Sequence, residues 1–282
     1  MSRLIIEAGK TERHYWADLW RYRELFFFLS WRDILVRYKQ TVIGVLWAVI
    51  RPALTIAIFT VIFGKMAQMP SGGIPYPVFV CAGVLPWQFF ATAMSEASNS
   101  LIASANMLSK IYFPRPIVPA SAVIVGFVDL LISLVILAAL MAWYHVTPNW
   151  RLVTLPLFTA LGLFASLGAS LWLSALNVKY RDFRYLVPFI VQFGFFISPV
   201  GYSRDGIRQK LGETLLGQTI YQLYPLNPMD GVINGFRWAI CSQSTVPLDW
   251  NSVLISIFVV ILITASGLRY FRATEKTFAD II

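Results

Sequence analysis

Apolar residues in this chain fall into long runs that are separated by short polar segments. A helix that crosses a bilayer needs about 20 predominantly apolar residues, and the runs approach or exceed that length in six places. We place the crossings at residues 42–64, 78–102, 117–144 and 152–177, at a segment that begins near residue 186 and breaks at Ser198-Pro199-Val200-Gly201, and at residues 252–271. The pattern predicts an all-α integral membrane protein with six transmembrane helices.

The residues before the first crossing follow a different pattern. Over residues 14–29, apolar side chains recur at helical spacing, at Tyr15, Leu19, Tyr22, Phe26 and Leu29. An amphipathic helix rich in aromatic residues suits the membrane interface. We therefore divide the chain into a tail with an interfacial amphipathic helix (1–41), a transmembrane domain (42–272) and a second tail (273–282).

About fifty residues lie between the break at Ser198 and the last crossing. Residues 214–229 carry no charge, yet Pro225 and Pro228 interrupt them. Broken helices at membrane depth are tolerated where protein or water covers the backbone. We expect residues 205–240 to form a pair of short re-entrant helices in the outer leaflet.

Composition and charge agree with a membrane protein. Hydrophobic residues make up 57% of the chain and charged residues 13%, about half the charged share of a soluble domain. The six crossings place sixteen of the 23 Lys and Arg residues on one side, six on the other side and Arg51 within a span. Because basic residues accumulate on the cytoplasmic side, both termini are predicted to be cytoplasmic. The net charge of +9 therefore reflects topology, and we expect no nucleic-acid partner.

The chain carries no pattern typical of an enzyme. Gly9-Lys10-Thr11 lacks the first glycine of a phosphate-binding P-loop, since position 4 is Leu. The two histidines and two cysteines are too scattered for the ligand spacing of a zinc site. We predict no catalytic residue, no metal and no cofactor bound by this chain.

Three ionisable residues fall inside predicted spans: Arg51, Glu96 and Asp129. Inserting each of them at the centre of a membrane helix costs up to about 2.5–3.5 kcal/mol. We therefore expect each of them to have a structural or functional role. In one interpretation Arg51 lines a polar path for an anionic or hydroxyl-rich substrate. In the other, Arg51 pairs with Glu96 or with Asp129 and only holds helices together.

Aromatic residues make up 15% of the chain, and several fall inside predicted spans. Their default roles are packing and contact with lipid, but flat rings could also line a conduit that binds its cargo weakly. The candidate channel-lining residues are Trp47, Arg51, Phe59, Trp87, Phe90, Glu96, Phe193 and Phe196.

The segment Asn106–Pro116 connects the second and third crossings. It holds an apolar Ile111-Tyr112-Phe113 triplet between Lys110 and Arg115. A segment that only connects two membrane helices would not need apolar residues beside basic ones. We therefore expect another protein to bind this segment.

Several motifs together resemble the ABC-2 type permeases that export polysaccharides. They cover about residues 25–275 and are Arg32-Asp33, Arg37-Tyr38-Lys39-Gln40, Gly44-Val45-Leu46-Trp47 with Pro52, the segment Asn106–Pro116, Lys179-Tyr180-Arg181-Asp182, Ser198-Pro199 and Tyr224-Pro225-Leu226-Asn227-Pro228-Met229. The nearest members by these motifs are permeases for O-antigen, with capsule and teichoic-acid permeases related. Arg51 departs from the family, where a neutral residue, often Gln, is expected before Pro52.

The resemblance implies a homodimer in the bacterial inner membrane, paired with two ATPase subunits that bind ATP and Mg. A central channel would pass a lipid-linked polysaccharide from cytoplasm to periplasm. The coupling helix contacting the ATPase would fall on Asn106, Lys110, Ile111, Tyr112, Phe113 and Arg115. A periplasmic gate would fall on Tyr221, Tyr224, Pro225, Asn227 and Pro228.

The predicted function is therefore that of a permease subunit. Two alternatives are an ABC-2 permease for a small hydrophobic drug or lipid, and a membrane-embedded glycosyl- or acyltransferase. A lateral, aliphatic cavity would favour the small molecule. A transferase would need a catalytic acid or His near a membrane boundary, and only Glu96 and Asp129 are eligible.

Overall fold

A computed structural model describes residues 15–39, 44–203, 215–240 and 248–278. These residues form helices and turns without a strand, which confirms the all-α prediction for this part of the chain. The helices are α1 (Tyr15–Arg21), α2 (Arg23–Lys39), α3 (Leu46–Phe59, continued by a π-helical segment Thr60–Met66), α4 (Tyr76–Ala103), α5 (Ala105–Leu108), α6 (Ile117–Trp143), α7 (Leu155–Lys179, preceded by a 3-10 turn Trp150–Thr154), α8 (Phe183–Ile197), α9 (Leu215–Leu223), α10 (Pro228–Ile240) and α11 (Trp250–Thr274).

Five of the six predicted crossings are helices long and apolar enough to span a membrane. They are Leu46–Met66, Tyr76–Ala103, Ile117–Trp143, Trp150–Lys179 and Trp250–Thr277. The remaining one, α8, has 15 residues, or about 22 Å at 1.5 Å per residue. This falls short of a hydrocarbon core of about 30 Å, because the chain leaves the helix at Ser198 ahead of Pro199.

Helix α4 forms the centre of the bundle. Its side chains are largely buried, and it packs against α3, α6, α7, α8 and α10. Small residues let these neighbours come close, as is common between membrane helices. An added Cβ at Gly83 would lie 2.7 Å from the Val200 carbonyl oxygen, and one at Gly126 of α6 would lie 3.5 Å from Ala93.

Helices α3 and α8 are the least covered helices of the bundle. Only 11% of the apolar window of α3 is buried, and Val187 is the one buried residue of α8. The exposed side chains are large and apolar, among them Leu54, Ile58, Phe189 and Phe193. In a membrane protein such a face contacts lipid or another protein, because neither requires polar side chains.

A second, smaller core ties together the end of the bundle where α4 stops. It includes Leu29 of α2, Leu101 of α4, Val178 of α7 and Phe271 of α11, with Phe113 between α5 and α6. The N-terminal helices and the 106–116 segment therefore share one hydrophobic cluster.

Candidate functional site

An ion-pair network joins α2 to the centre of the bundle. The Arg37 guanidinium reaches Glu96 of α4 at 2.5 Å through Nη1, and Asp129 of α6 at 2.6 Å through Nη2. The Tyr38 hydroxyl donates to the other oxygen of Asp129. Burial and this hydrogen bond raise the pKa of Tyr38 above its ordinary value, so the hydroxyl stays protonated and remains a donor.

The network corrects the predicted pairing of Arg51. Neither Glu96 nor Asp129 forms an ion pair with Arg51; both bind Arg37 instead. The reason is the length of α2, which continues to Lys39 and packs along α6. The prediction ended that helix at residue 29, although the spacing of Leu29, Asp33 and Arg37 extends the same helical face by two further turns.

Arg51 instead lines a recess between α2, α3, α4 and α6. The recess has a volume of about 190 Å³. Half of its fourteen lining residues are polar, namely Arg37, Tyr38, Arg51, Gln88, Thr92, Asp129 and Ser133, and the other half are Gly44, Trp47, Ala48, Pro52, Leu85, Phe89 and Leu130. Hydrogen bonds from Gln88 Nε2 to Thr55 Oγ1 (3.3 Å) and from Ser133 Oγ to the Ala48 carbonyl (2.9 Å) hold α3 in place. Among the described residues, no carboxylate oxygen lies within 4.0 Å of the Arg51 guanidinium.

The candidate channel aromatics divide into exposed and buried ones. The exposed fractions of Trp47, Phe193 and Phe196 are 47%, 58% and 59%, whereas those of Trp87 and Phe90 are 4% and 8%. Trp87 and Phe90 therefore belong to the protomer core, because most of the α4 span is buried inside the protomer. For the exposed residues Trp47, Phe193 and Phe196, a role in lining the channel stays a prediction.

Phe59 occupies an intermediate position between α3 and α8. Its ring lies 5.1 Å from the rings of both Phe63 and Phe195, measured between centroids. This aromatic cluster joins the two otherwise exposed helices.

The 106–116 segment has an outer and an inner half. Asn106, Lys110, Ile111 and Tyr112 are exposed, which suits binding by another protein. Phe113 is 4% exposed and belongs to the smaller core, so its predicted contact with a partner is replaced by an anchoring role.

Arg115 also faces inward in this segment. Its guanidinium carbon lies 5.8 Å from the centroid of the Phe278 ring, which is a cation–π distance. Phe278 packs edge-on against Phe271 of α11. Arg115 therefore connects the segment to the end of the last helix.

At the opposite end of α4, a second arginine holds the turn that follows α8. Arg237 of α10 donates to the carbonyls of Val200 (2.7 Å), Tyr202 (3.1 Å) and Phe79 (3.4 Å). Its guanidinium carbon lies 3.7 Å from the centroid of the Phe79 ring. The sequence analysis missed this residue, because a cation in a helix gives no indication of which distant carbonyls it will meet.

The predicted gate residues lie beside this arginine cluster. The Tyr224 and Tyr202 hydroxyl oxygens are 2.5 Å apart, and Asn227 Nδ2 donates to Ser198 Oγ at 2.8 Å. Pro225 is buried, and Tyr221 and Pro228 are half-buried. Two short helices, α9 and α10, occupy the predicted region, whose residues 205–214 lie outside the described part of the chain. No group of three or more His, Cys, Asp or Glu residues in the described ranges could hold a metal ion.

Comparison with known proteins identifies the family. The model of the ABC-2 type transporter family matches residues 24–240. The chain belongs to the ABC-2 type transporter family. The matched part contains the Arg37 network, the recess, the 106–116 segment and the Arg237 cluster, so both polar sites lie within the family domain of this multi-pass membrane protein.

Two of the relatives of this ABC-2 chain are similar over nearly their whole length, and a third over a shorter stretch. The chain is 26% identical over 266 residues to the O-antigen export system permease protein RfbA of Myxococcus xanthus, which covers 94% of this chain and 98% of that protein. It is 28% identical over 254 residues to the protein of the same name from Klebsiella pneumoniae, covering 89% and 92%. It is 24% identical over 213 residues to the polysialic acid transport protein KpsM of Escherichia coli, covering 73% and 80%.

Proposed function

We propose that this chain is the channel-forming permease subunit of an ABC transporter that exports a lipid-linked, O-antigen-like polysaccharide. The observation that carries the proposal is the end-to-end similarity to proteins named as O-antigen export permeases. The similarity to a polysialic acid transporter over a shorter stretch supports a polymer of sugars as the general class of cargo.

In this proposal the exposed faces of α3 and α8 turn toward a second copy of the chain. The two copies enclose a channel, and the polymer passes between rings such as Trp47, Phe193 and Phe196, which are exposed in the protomer. Helix α8 and the turn after it make the sixth crossing. The distribution of Lys and Arg supports cytoplasmic termini and transport from cytoplasm to periplasm across the bacterial inner membrane. The domain boundaries after residues 41 and 272 belong to the same proposal.

The 106–116 segment would couple this permease to an ATPase. Exposed Lys110, Ile111 and Tyr112 offer a cation and apolar surface to a cleft on the partner, while buried Phe113 keeps the segment fixed to the bundle. ATP and Mg would be bound by two copies of that partner, and this chain would be no enzyme.

The region around α9 and α10 would form the periplasmic gate. A hydrogen bond between the Tyr224 and Tyr202 hydroxyls and one from Asn227 to Ser198 link the connection between these short helices to the turn after α8. A movement of α8 would therefore pull on the gate directly.

The recess argues against the alternative cargoes. Seven of its fourteen lining residues are polar or charged, among them Arg51, Gln88 and Asp129, whereas a site for a hydrophobic drug or lipid would carry only a small number of polar groups. Glu96 and Asp129, the two acids eligible for transferase chemistry, are both ion-paired with Arg37, so neither is an unpaired acid.

A complementation experiment tests the proposed function. In a host that lacks its own permease of this class, the chain should restore surface polysaccharide when produced with its ATPase partner. A partner unable to hydrolyse ATP should give none. If the assembled complex hydrolyses ATP and no polysaccharide reaches the cell surface, the proposal is wrong.

The coupling surface can be tested in the same host. Ile111→Asp should abolish association with the ATPase without lowering the amount of permease in the membrane, because Ile111 is 58% exposed. Ile111→Val is the matched control, since it keeps a branched apolar side chain at the same exposed position. Normal association of Ile111→Asp would place the coupling surface elsewhere.

A further inference from the structure

The recess beside α3 combines groups of three different chemical types. Trp47 and Arg51 lie four residues apart in α3 and therefore share one face of the helix. The Thr92 hydroxyl of α4 has no hydrogen-bond partner among the described residues. Residues that carry an aromatic ring, a guanidinium and a hydroxyl thus line one concave surface.

Arg37, Arg51 and Asp129 are the charged residues that line the recess, and Glu96, which lies outside the lining, pairs with Arg37; the formal charges of these four side chains sum to zero. Arg37 binds both Glu96 and Asp129, so these three side chains carry one net negative charge. Arg51, without a carboxylate within 4.0 Å among the described residues, offsets that charge. A phosphate would need a surplus of positive charge at its site. Hydroxyl groups need donors and acceptors side by side, and Arg51 and Asp129 supply one of each.

The size of the recess limits what it can hold. Its volume of about 190 Å³ is below the roughly 300–1,000 Å³ of a site for a drug-sized ligand. The recess therefore has room for about one small ring, and the rest of a longer chain would lie outside it.

We propose that Trp47, Arg51 and Thr92 form a subsite for a single uncharged sugar ring. The apolar face of the ring lies on Trp47, and its hydroxyls accept from Arg51 and donate to Asp129, whose carboxylate has lone pairs left beside those used by Arg37 and Tyr38. This inference rests on the proposed function and goes beyond it by naming the residues that hold one ring of the polymer and by assigning that ring no charge.

Export by variants of the subsite gives the first test. Arg51→Met and Trp47→Leu should each lower surface polysaccharide about tenfold, a change that corresponds to about 1.4 kcal/mol. Arg51→Gln keeps a donor and should lower it by less than Arg51→Met. Val135→Ala, at an exposed position of α6 away from the recess, should export normally. Wild-type export by both Arg51→Met and Trp47→Leu would overturn the subsite, whereas a wild-type chain that exports nothing would overturn the proposed function.

Direct binding gives a second test that does not depend on transport. The purified complex of permease and ATPase is titrated with two probes, the host polysaccharide released from its lipid by mild acid and inorganic pyrophosphate, while tryptophan fluorescence is followed. We expect a saturable change with the polysaccharide only, which disappears in Trp47→Phe and weakens in Arg51→Met. A response to pyrophosphate alone, or to neither probe, would overturn the assignment of an uncharged sugar.

Discussion

Two arginines hold the two ends of α4 in different ways. Arg237 is 7% exposed and binds three backbone carbonyls, whereas the side chain of Arg37 is 26% exposed and binds two carboxylates. Their contacts on α4, Phe79 and Glu96, are about 26 Å apart along the helix axis.

The two arginines differ in the kind of group that they bind. The carbonyls around Arg237 belong to α4 and to the turn after α8, so the arginine has one arrangement that satisfies them. The carboxylates around Arg37 are on side chains from two helices, next to a recess and a second cation, Arg51. We infer that the Arg237 end is a rigid clamp and that the Arg37 end can change its pairing while the bundle stays folded.

The largest effect is expected from Arg237→Met. The substitution leaves the carbonyls of Phe79, Val200 and Tyr202 without this donor in a buried place, and each unsatisfied group costs about 1–3 kcal/mol. Thermal unfolding of the purified protein should occur at a clearly lower temperature, and the amount in the membrane should fall. Arg237→Lys should recover part of the loss, because it keeps the charge. Unfolding of Arg237→Met at the wild-type temperature would contradict the clamp.

A glycine next to the clamp should give the next largest effect. In Gly83→Ala the new Cβ would lie 2.7 Å from the Val200 carbonyl oxygen and 3.0 Å from Arg237 Nη2. Overpacking of this kind costs about 1–3 kcal/mol. Gly126→Ala is the matched control, since its Cβ would lie at an ordinary 3.5 Å from Ala93. The unfolding temperature should fall in the first variant and stay near that of the wild type in the second; equal values in both would show that the clamp adjusts easily.

Substitutions in the Arg37 network should destabilise the protein less than Arg237→Met does. Part-exposed ion pairs contribute about 0–1 kcal/mol each, so Arg37→Gln and Glu96→Gln should lower the unfolding temperature only slightly. A double-mutant cycle with both changes measures their coupling. If that coupling exceeded the cost of Arg237→Met, the proposed contrast between a rigid and an adjustable end would be reversed.

The sequence predicted the central helices α4 and α6 but not the contacts of Arg37 or of Arg237. Residues 78–102 and 117–144 were placed within two residues of α4 and α6 at each end, because long apolar runs determine where spans lie. Arg37 was missed because α2 continues past its apolar stripe, and its partners lie on α4 and α6. The burial of Phe113 was missed for a related reason, since a short polar segment gives no sign of the cluster that Leu29, Leu101 and Phe271 form around it. Contacts of this type depend on packing between distant parts of the chain, which periodicity does not encode.

The smallest effect on stability is expected at Arg51, and it separates the two interpretations of this residue. An arginine that holds helices together would leave a buried carboxylate unpaired when replaced, and the protein would be lost from the membrane. Glu96 and Asp129 are already bound by Arg37, and Arg51 is exposed to the recess. Arg51→Gln should therefore change the free energy of unfolding by no more than about 0.5 kcal/mol, as at an ordinary surface position. Arg37→Gln in the same preparation is the matched comparison, and a larger loss at Arg51 than at Arg37 would show that Arg51 supports the fold through contacts at longer range.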